Sequence, residues 1–209
     1  MSDGRDDSGG FDDRARTWDD APHRVERSRV AAGLIAERVS LGPTTRLLDY
    51  GAGTGLLAQH LAPDVGGVTL VEPSVGMREA LHAKVAAGVL PPDAVVLDVD
   101  LAATEPPDGL ACDVVVSLMV VHHIADIPAV LRRIRSLLPG GGHLCIIDLE
   151  EEDGSYHSPS FRGHHGIARG SLAHDLKASG FAAPTFDPAF TIEKNGRAYE
   201  LFLAVARAD

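Results

Sequence analysis

Aromatic side chains are scarce in this 209-residue chain, which carries one Trp, three Tyr and six Phe, 5% of the total. Each ring is therefore conspicuous, and Trp18 and the tyrosines stand out on that ground alone. Cysteine is scarcer. The two present, Cys112 and Cys145, each adjoin an apolar run where a thiol behaves as a small buried hydrophobe. That excludes a disulfide framework and makes a reducing cytoplasm the expected compartment. Long apolar runs are missing too: none approaches the 18 or so residues that span a membrane, and the opening MSDGRDDSGG has no apolar signal-peptide core. Positive charge is also in deficit, with a formal net charge of −11. The densest basic groups, Arg24/Arg27/Arg29 and Arg132/Arg133/Arg135, fall inside helical patterns, where charges solvate an outer face. An acidic surface without a basic stripe repels phosphate backbones, so neither nucleic acid nor a membrane is an expected partner.

What is present reads as one ordinary globular domain, 44% hydrophobic and 23% charged. Residues 1–20 are rich in Asp and Gly and form a separate N-terminal segment, with at least the first ten expected to be mobile. Residues 21–209 form the domain. Val25 to Val39 repeat at helical spacing up to Gly42-Pro43. Short apolar runs then alternate with helical patterns: Arg46 to Tyr50, Gly67 to Glu72, Ala94 to Asp98, Asp113 to Met119 and His143 to Leu149 predict strands of a parallel sheet covered on both faces. Met77, Leu81 and Val85 mark one helix behind a Ser74 cap, and Ile127 to Leu138 another behind Asp126. After a helix near Leu172 to Ser179, two runs flank Asn195-Gly196, the pair that suits a hairpin turn needing positive φ twice. An α/β chain that ends in an antiparallel hairpin follows.

Residues 47–57, LLDYGAGTGLL, read as a buried strand, a loop with glycines at 51, 53 and 55, and the start of a helix. Glycine lets a backbone approach a ligand where a Cβ would collide. The next strand ends in an acid, Glu72, 19 residues beyond Gly53, near the offset of a ribose-binding carboxylate. Nicotinamide dinucleotides use G-x-G-x-x-G, whereas this loop reads G-A-G-T-G, which makes an oxidoreductase the weaker reading.

With these motifs, and with TLVEPS, LDVDL, CDVVVSLMVVHHI and LLPGGGHLCIID following in order, the chain resembles the class I S-adenosylmethionine-dependent methyltransferases over residues 11–206. It is most similar to the small bacterial type of the ubiquinone and menaquinone C-methyltransferases. The resemblance implies a Rossmann-like doubly wound sheet of seven strands, the last antiparallel, and S-adenosyl-L-methionine as cofactor with S-adenosyl-L-homocysteine as product. By position, Asp49, Gly51, Ala52, Gly53 and Gly55 would surround the methionine moiety and Glu72, before Pro73, the ribose. Met77 would flank the adenine. Asp98-Val99 or Asp100 would meet the adenine amino group, with Asp98 favoured, and Ser117 and Leu118 would lie under the sulfonium. FDDRARTWDD, residues 11–20, resembles a lid over the cofactor, anchored by Trp18.

Methyl transfer from a sulfonium is an in-line displacement, so alignment and exclusion of water come first and a general base is optional. Candidates for a base are His122, His123, His157, His164 and His165, in loops expected beyond the carboxyl ends of the strands, and Tyr156, Phe161, His164 and His165 are candidates for lining the acceptor pocket. A zinc site is not expected, since adjacent histidines do not readily face one ion and no cysteine is near. The strand-four loop also lacks the Asn/Asp-Pro-Pro-aromatic signature of amino-methyltransferases. The expected activity is methylation of a small molecule at O, N, S or activated C by a monomer or homodimer. The alternative is a non-catalytic S-adenosylmethionine-binding sensor or subunit.

Overall fold

A computed structural model describes residues 10–209, so the mobility expected at the N-terminus falls, for 1–9, outside the described residues. In chain order the elements are α1 (Phe11–Arg14), α2 (Pro22–Arg38), β1 (Arg46–Tyr50), α3 (Leu56–Leu61), β2 (Gly67–Val71), α4 (Val75–Ala86), β3 (Val95–Leu97), β4 (Val114–Leu118), α5 (Ile127–Leu137), β5 (His143–Leu149), α6 (Arg169–Ala178), β6 (Thr185–Lys194) and β7 (Arg197–Arg207). Short 3-10 turns cover Ala15–Asp20, Ala62–Asp64 and Val121–His123. The seven strands form one sheet in the order β3-β2-β1-β4-β5-β7-β6. The first five are parallel, and β7 lies antiparallel between β5 and β6.

Alternation along the strands explains the two covered faces. Leu48, Val115, Leu144 and Ile146 pack with α5 and α6, whereas Leu47, Val114, Val116, Cys145 and Ile147 pack with α2 and α3. A parallel sheet must be apolar on both sides, which is why these strands read as unbroken aliphatic runs. Both thiols are buried and free, and burial pushes each up to about 12. Ser74 and Asp126 cap α4 and α5 by accepting from Met77 N and Ala129 N. Asn195 and Gly196 hold φ of 54° and 75° in the hairpin, and Pro188 sits at a register shift on the edge strand. Among the described residues, no helix is long and apolar enough to cross a membrane.

Residues 11–20 fold onto the domain as a strap. Asp12 accepts from Ser74 Oγ at 2.5 Å and from Gly76 N at 2.8 Å, adding a carboxylate to the positive end of α4, and these bonds hold its carboxyl below the usual range. Asp19 accepts from Thr54 Oγ1 at 2.6 Å and pairs with Lys84 at 2.5 Å. The strap lies so close that a Cβ on Gly76 would stand 2.7 Å from Asp12 O and 2.8 Å from its Cα. Gly76→Ala is therefore expected to undock it even though Ala favours a helix by about 1 kcal/mol. The expected signature is a red-shifted Trp18 emission at an unchanged or raised melting temperature; unshifted emission would contradict the packing.

Candidate active site

The carboxyl ends of β1, β2, β4 and β5 and the strap converge on one place. At the end of β1, Gly51, Gly53 and Gly55 all hold positive φ, of 71°, 55° and 80°. A Cβ on Gly51 would meet the Val120 side chain at 2.5 Å, while one on Gly53 would point into open space. Gly51 thus permits protein packing, and Gly53 is the face that a ligand can approach. Gly55 precedes α3 and Ala52 is buried.

Glu72, one residue beyond β2, is 7% exposed and straddles the two loops. Its Oε2 accepts from Gly53 N at 2.7 Å and its Oε1 from Ser74 N at 2.8 Å. Burial raises its pKa, opposed by these two N–H donors. Each oxygen keeps a further lone pair for a ligand hydroxyl. Pro73 is exposed and turns the chain into α4, whose first turn buries Met77.

Asp49, on β1 beneath the glycine loop, is 1% exposed. Its carboxylate accepts from Ala58 N, but Oδ2 has no partner among the described residues. Burial pushes its pKa from 3.8 to about 7. The folded chain therefore holds this proton more tightly than the unfolded chain, and stability should fall as pH rises through about 4 to 7, by up to about 1.4 kcal/mol per pH unit. Asp49→Asn removes this dependence. Its melting temperature relative to wild type is expected to climb across that window, and a constant difference would contradict the buried ionisation.

Asp98 and Asp100 both follow β3. Asp98 is exposed and pairs with Arg78 on α4 at 2.9 Å. Asp100 accepts from Ala102 N at 2.8 Å, with Val99 half-buried between the two. Asp100 and Glu72 both lie near enough to Tyr50, at the end of β1, for their charges to oppose its ionisation. Ser117 donates to Tyr50 O at 3.1 Å, and Leu118 is half-buried at the end of β4. Met119 then takes a φ of 60°, a strained turn that brings Val120 over Gly51.

Beyond that turn His122 is 1% exposed, and its Nδ1 lies 2.5 Å from Asp148 Oδ1. Asp148 is wholly buried near the end of β5 and also accepts from His122 N at 3.2 Å and Leu149 N at 2.8 Å. The sequence reading missed Asp148. Its signal was an acid inside the otherwise apolar run HLCIIDL, since a buried carboxylate demands a partner. His123 lies 4.1 Å from His122, ring to ring, and 5.8 Å from Phe11 of the strap. Trp18 is half-buried, 5.9 Å from Phe11, and Arg24 stacks on it at 3.9 Å. Tyr156 is buried at the edge of this group, bonded to Arg27 of α2. His165 is not brought in: its side chain is 51% exposed and turns toward Glu152 at 3.7 Å. Among the described residues, no three His, Cys, Asp or Glu are grouped to hold a metal. A cavity of about 480 Å³ lies toward the amino ends of β1 and β2, between residues 41–43 and 63–65, and holds none of these groups.

A glycine loop against a strand-end acid, with a buried Asp beneath it that keeps one oxygen unpartnered among the described residues, fits an adenosine-bearing ligand. The profile of one family, described as a methyltransferase domain, matches residues 13–185, the stretch that contains the glycine loop, Asp49, Glu72, His122 and Asp148. The chain belongs to this methyltransferase family. The chain is 31% identical over 185 residues to the biotin biosynthesis bifunctional protein BioCD of Bordetella avium, a match that takes in 83% of this chain and 35% of that protein. It thus spans about a third of that curated relative's length. Another relative, a ubiquinone biosynthesis O-methyltransferase of Xanthomonas campestris pv. campestris, is 28% identical over 68% of this chain and 59% of its own length. Among solved structures, a Haloferax volcanii methyltransferase complexed with a methyltransferase activator superposes with a TM-score of 0.75 over 98% of both chains at 18% identity, which shows a shared fold. The family is S-adenosylmethionine-dependent.

Proposed function

We propose that this chain transfers a methyl group from S-adenosylmethionine to a small-molecule acceptor. The observation that carries this reading is the bridge of Glu72 between Gly53 N and Ser74 N, which presents a fixed carboxylate beside the open face of Gly53. When bound, the cofactor supplies a methyl group activated by its sulfonium. The residues of the chain bind and align. Glu72 accepts the two ribose hydroxyls on its remaining lone pairs. Asp49 Oδ2 takes the ammonium of the amino-acid moiety, which would satisfy a buried oxygen that otherwise costs stability. Asp100 takes the adenine amino group, because Asp98 is already paired with Arg78, and Met77 and Val99 flank the ring. The backbone at Ser117 and Leu118 lines the sulfonium end. The strap of residues 11–20 covers the site and excludes water, tied to the glycine loop through Thr54 and to α4 through Ser74 and Gly76.

The acceptor side is walled by rings and imidazoles, and the acidic surface disfavours a polyanion. Incubation with methyl-labelled S-adenosylmethionine and a fractionated cell extract tests the assignment. The expected result is label in the low-mass fraction with equimolar S-adenosylhomocysteine. Label confined to protein or nucleic acid would overturn the acceptor class. Tight S-adenosylhomocysteine binding without turnover on any fraction would favour a sensor.

A further inference from the structure

The imidazole of His122 is held at one end only. Nδ1 faces Asp148 Oδ1, and that carboxylate is itself fixed by His122 N and Leu149 N. A carboxylate at Nδ1 selects the tautomer with its proton there, leaving a lone pair on Nε2. Nε2 is buried and has no partner among the described residues. An unmet buried acceptor costs about 1–3 kcal/mol, so a native chain that keeps one invites a functional reason.

The segment between β5 and α6 packs against the His122 ring. His157 lies 5.1 Å from the His122 ring and stacks on Phe161 at 3.7 Å and 10°. The segment rests directly on the His122 backbone: His164 N donates to His122 O at 2.7 Å, and a Cβ on Gly163 would stand 2.3 Å from that oxygen. Gly154 and Gly166, with φ of 86° and 70°, stand near its two ends. Although the chain has only ten aromatic residues, five of them form a continuous belt here with the three imidazoles. It runs from Trp18 through Phe11, His123, His122, His157 and Phe161 to Tyr156 and Tyr199.

We propose that His122 is the proton acceptor of the reaction, positioned by Asp148, and that the methyl acceptor is a hydroxyl carried on a flat aromatic ring. The inference rests on the methyl-transfer reading above. A phenolic hydroxyl ionises only near pH 10 and is a poor nucleophile while protonated, whereas a thiol sheds its proton far more readily, so a buried base is most useful to an O–H. An ammonium would meet two cations beside Tyr156, Arg27 and Lys194, the latter 4.5 Å from the ring. The belt gives a planar ring its stacking surface when the 155–165 segment swings aside. In the step, the hydroxyl oxygen forms the new O–CH3 bond while the methyl–sulfur bond breaks and leaves its electron pair on sulfur, now a neutral thioether. The hydroxyl proton passes to His122 Nε2, the imidazolium faces Asp148, and the proton leaves to solvent on reopening.

The test uses the full chain, 15N-labelled and saturated with S-adenosylhomocysteine, with the His122 ring assigned by comparison with His122→Gln. Long-range 15N–1H spectra are expected to show the Nδ1–H tautomer, lost or mixed in Asp148→Asn. Catechol should move the Nε2 resonance, and its dimethyl ether should not. His122→Gln should bind S-adenosylhomocysteine within about twofold of wild type yet lose about 100-fold or more in methyl transfer to the labelled extract fraction, as for removal of a general base. An Nε2–H tautomer, or an Nε2 signal unmoved by catechol at millimolar concentration, would overturn the proposal. So would an His122→Gln variant of near wild-type turnover. Failure of wild type to bind S-adenosylhomocysteine would instead remove the methyl-transfer reading on which the proposal rests.

Discussion

Glu72→Ala is expected to weaken S-adenosylhomocysteine binding by about 1.5–3 kcal/mol, the scale of hydrogen bonds to a charged group, or about 10- to 150-fold in Kd. Two losses act together. The ribose hydroxyls lose their acceptor, and Gly53 N and Ser74 N lose the carboxylate that holds the two loops in register. Glu72→Gln keeps one carbonyl acceptor and is expected to fall between the two. Calorimetric titration of all three proteins decides the matter, with thermal melts run alongside to show that each is folded. Unchanged affinity in folded Glu72→Ala would remove Glu72 from the site.

Asp148→Ala should have the largest effect on the fold. It strips the acceptor from three buried donors, His122 Nδ1, His122 N and Leu149 N, and leaves a void beside an imidazole that is 1% exposed. Breaking such a buried polar pair from one side costs about 3 kcal/mol or more. For a chain of this size that corresponds to a fall of roughly 6–12 °C in melting temperature. Asp148→Asn, which keeps one oxygen as acceptor, should lose less. A fall below about 2 °C for Asp148→Ala would mean that the pair contributes little to the native state.

The two variants differ in how legible their sites were. Glu72 could be read from the sequence because its partner is local in kind: a glycine loop and an acid at the end of the next strand lie at a fixed offset, set by the length of one strand-helix-strand unit. The Asn195-Gly196 turn was legible for the same reason, since positive φ at both residues is a local demand. The sheet of seven strands with an antiparallel β7 followed from that hairpin together with the family resemblance, whereas the strand order is set by pairings distant in sequence. Asp148 was hidden because its partner lies 26 residues away on the loop after the neighbouring strand, and only the β4–β5 register, with Leu118 opposite Ile147, brings the two together. The strap was anticipated as a lid, yet its docking depends on Gly76, which looks unremarkable in a helical run until Asp12 is seen to press against it. His165 read as well as His122 in the sequence. Which histidine of a loop turns inward is decided by the backbone, here by Gly163 and His164 lying on His122 O.

The claim on which the rest stands is that the ends of β1 and β2 form an adenosine cradle. Thermal denaturation of wild type with S-adenosylhomocysteine measures it most directly. At a ligand concentration near 100 times Kd the account predicts about 2.7 kcal/mol of stabilisation, a rise of roughly 5–10 °C, about half of it or more lost in Glu72→Ala at the same concentration. A melting temperature unmoved by millimolar S-adenosylhomocysteine in the folded protein would contradict it.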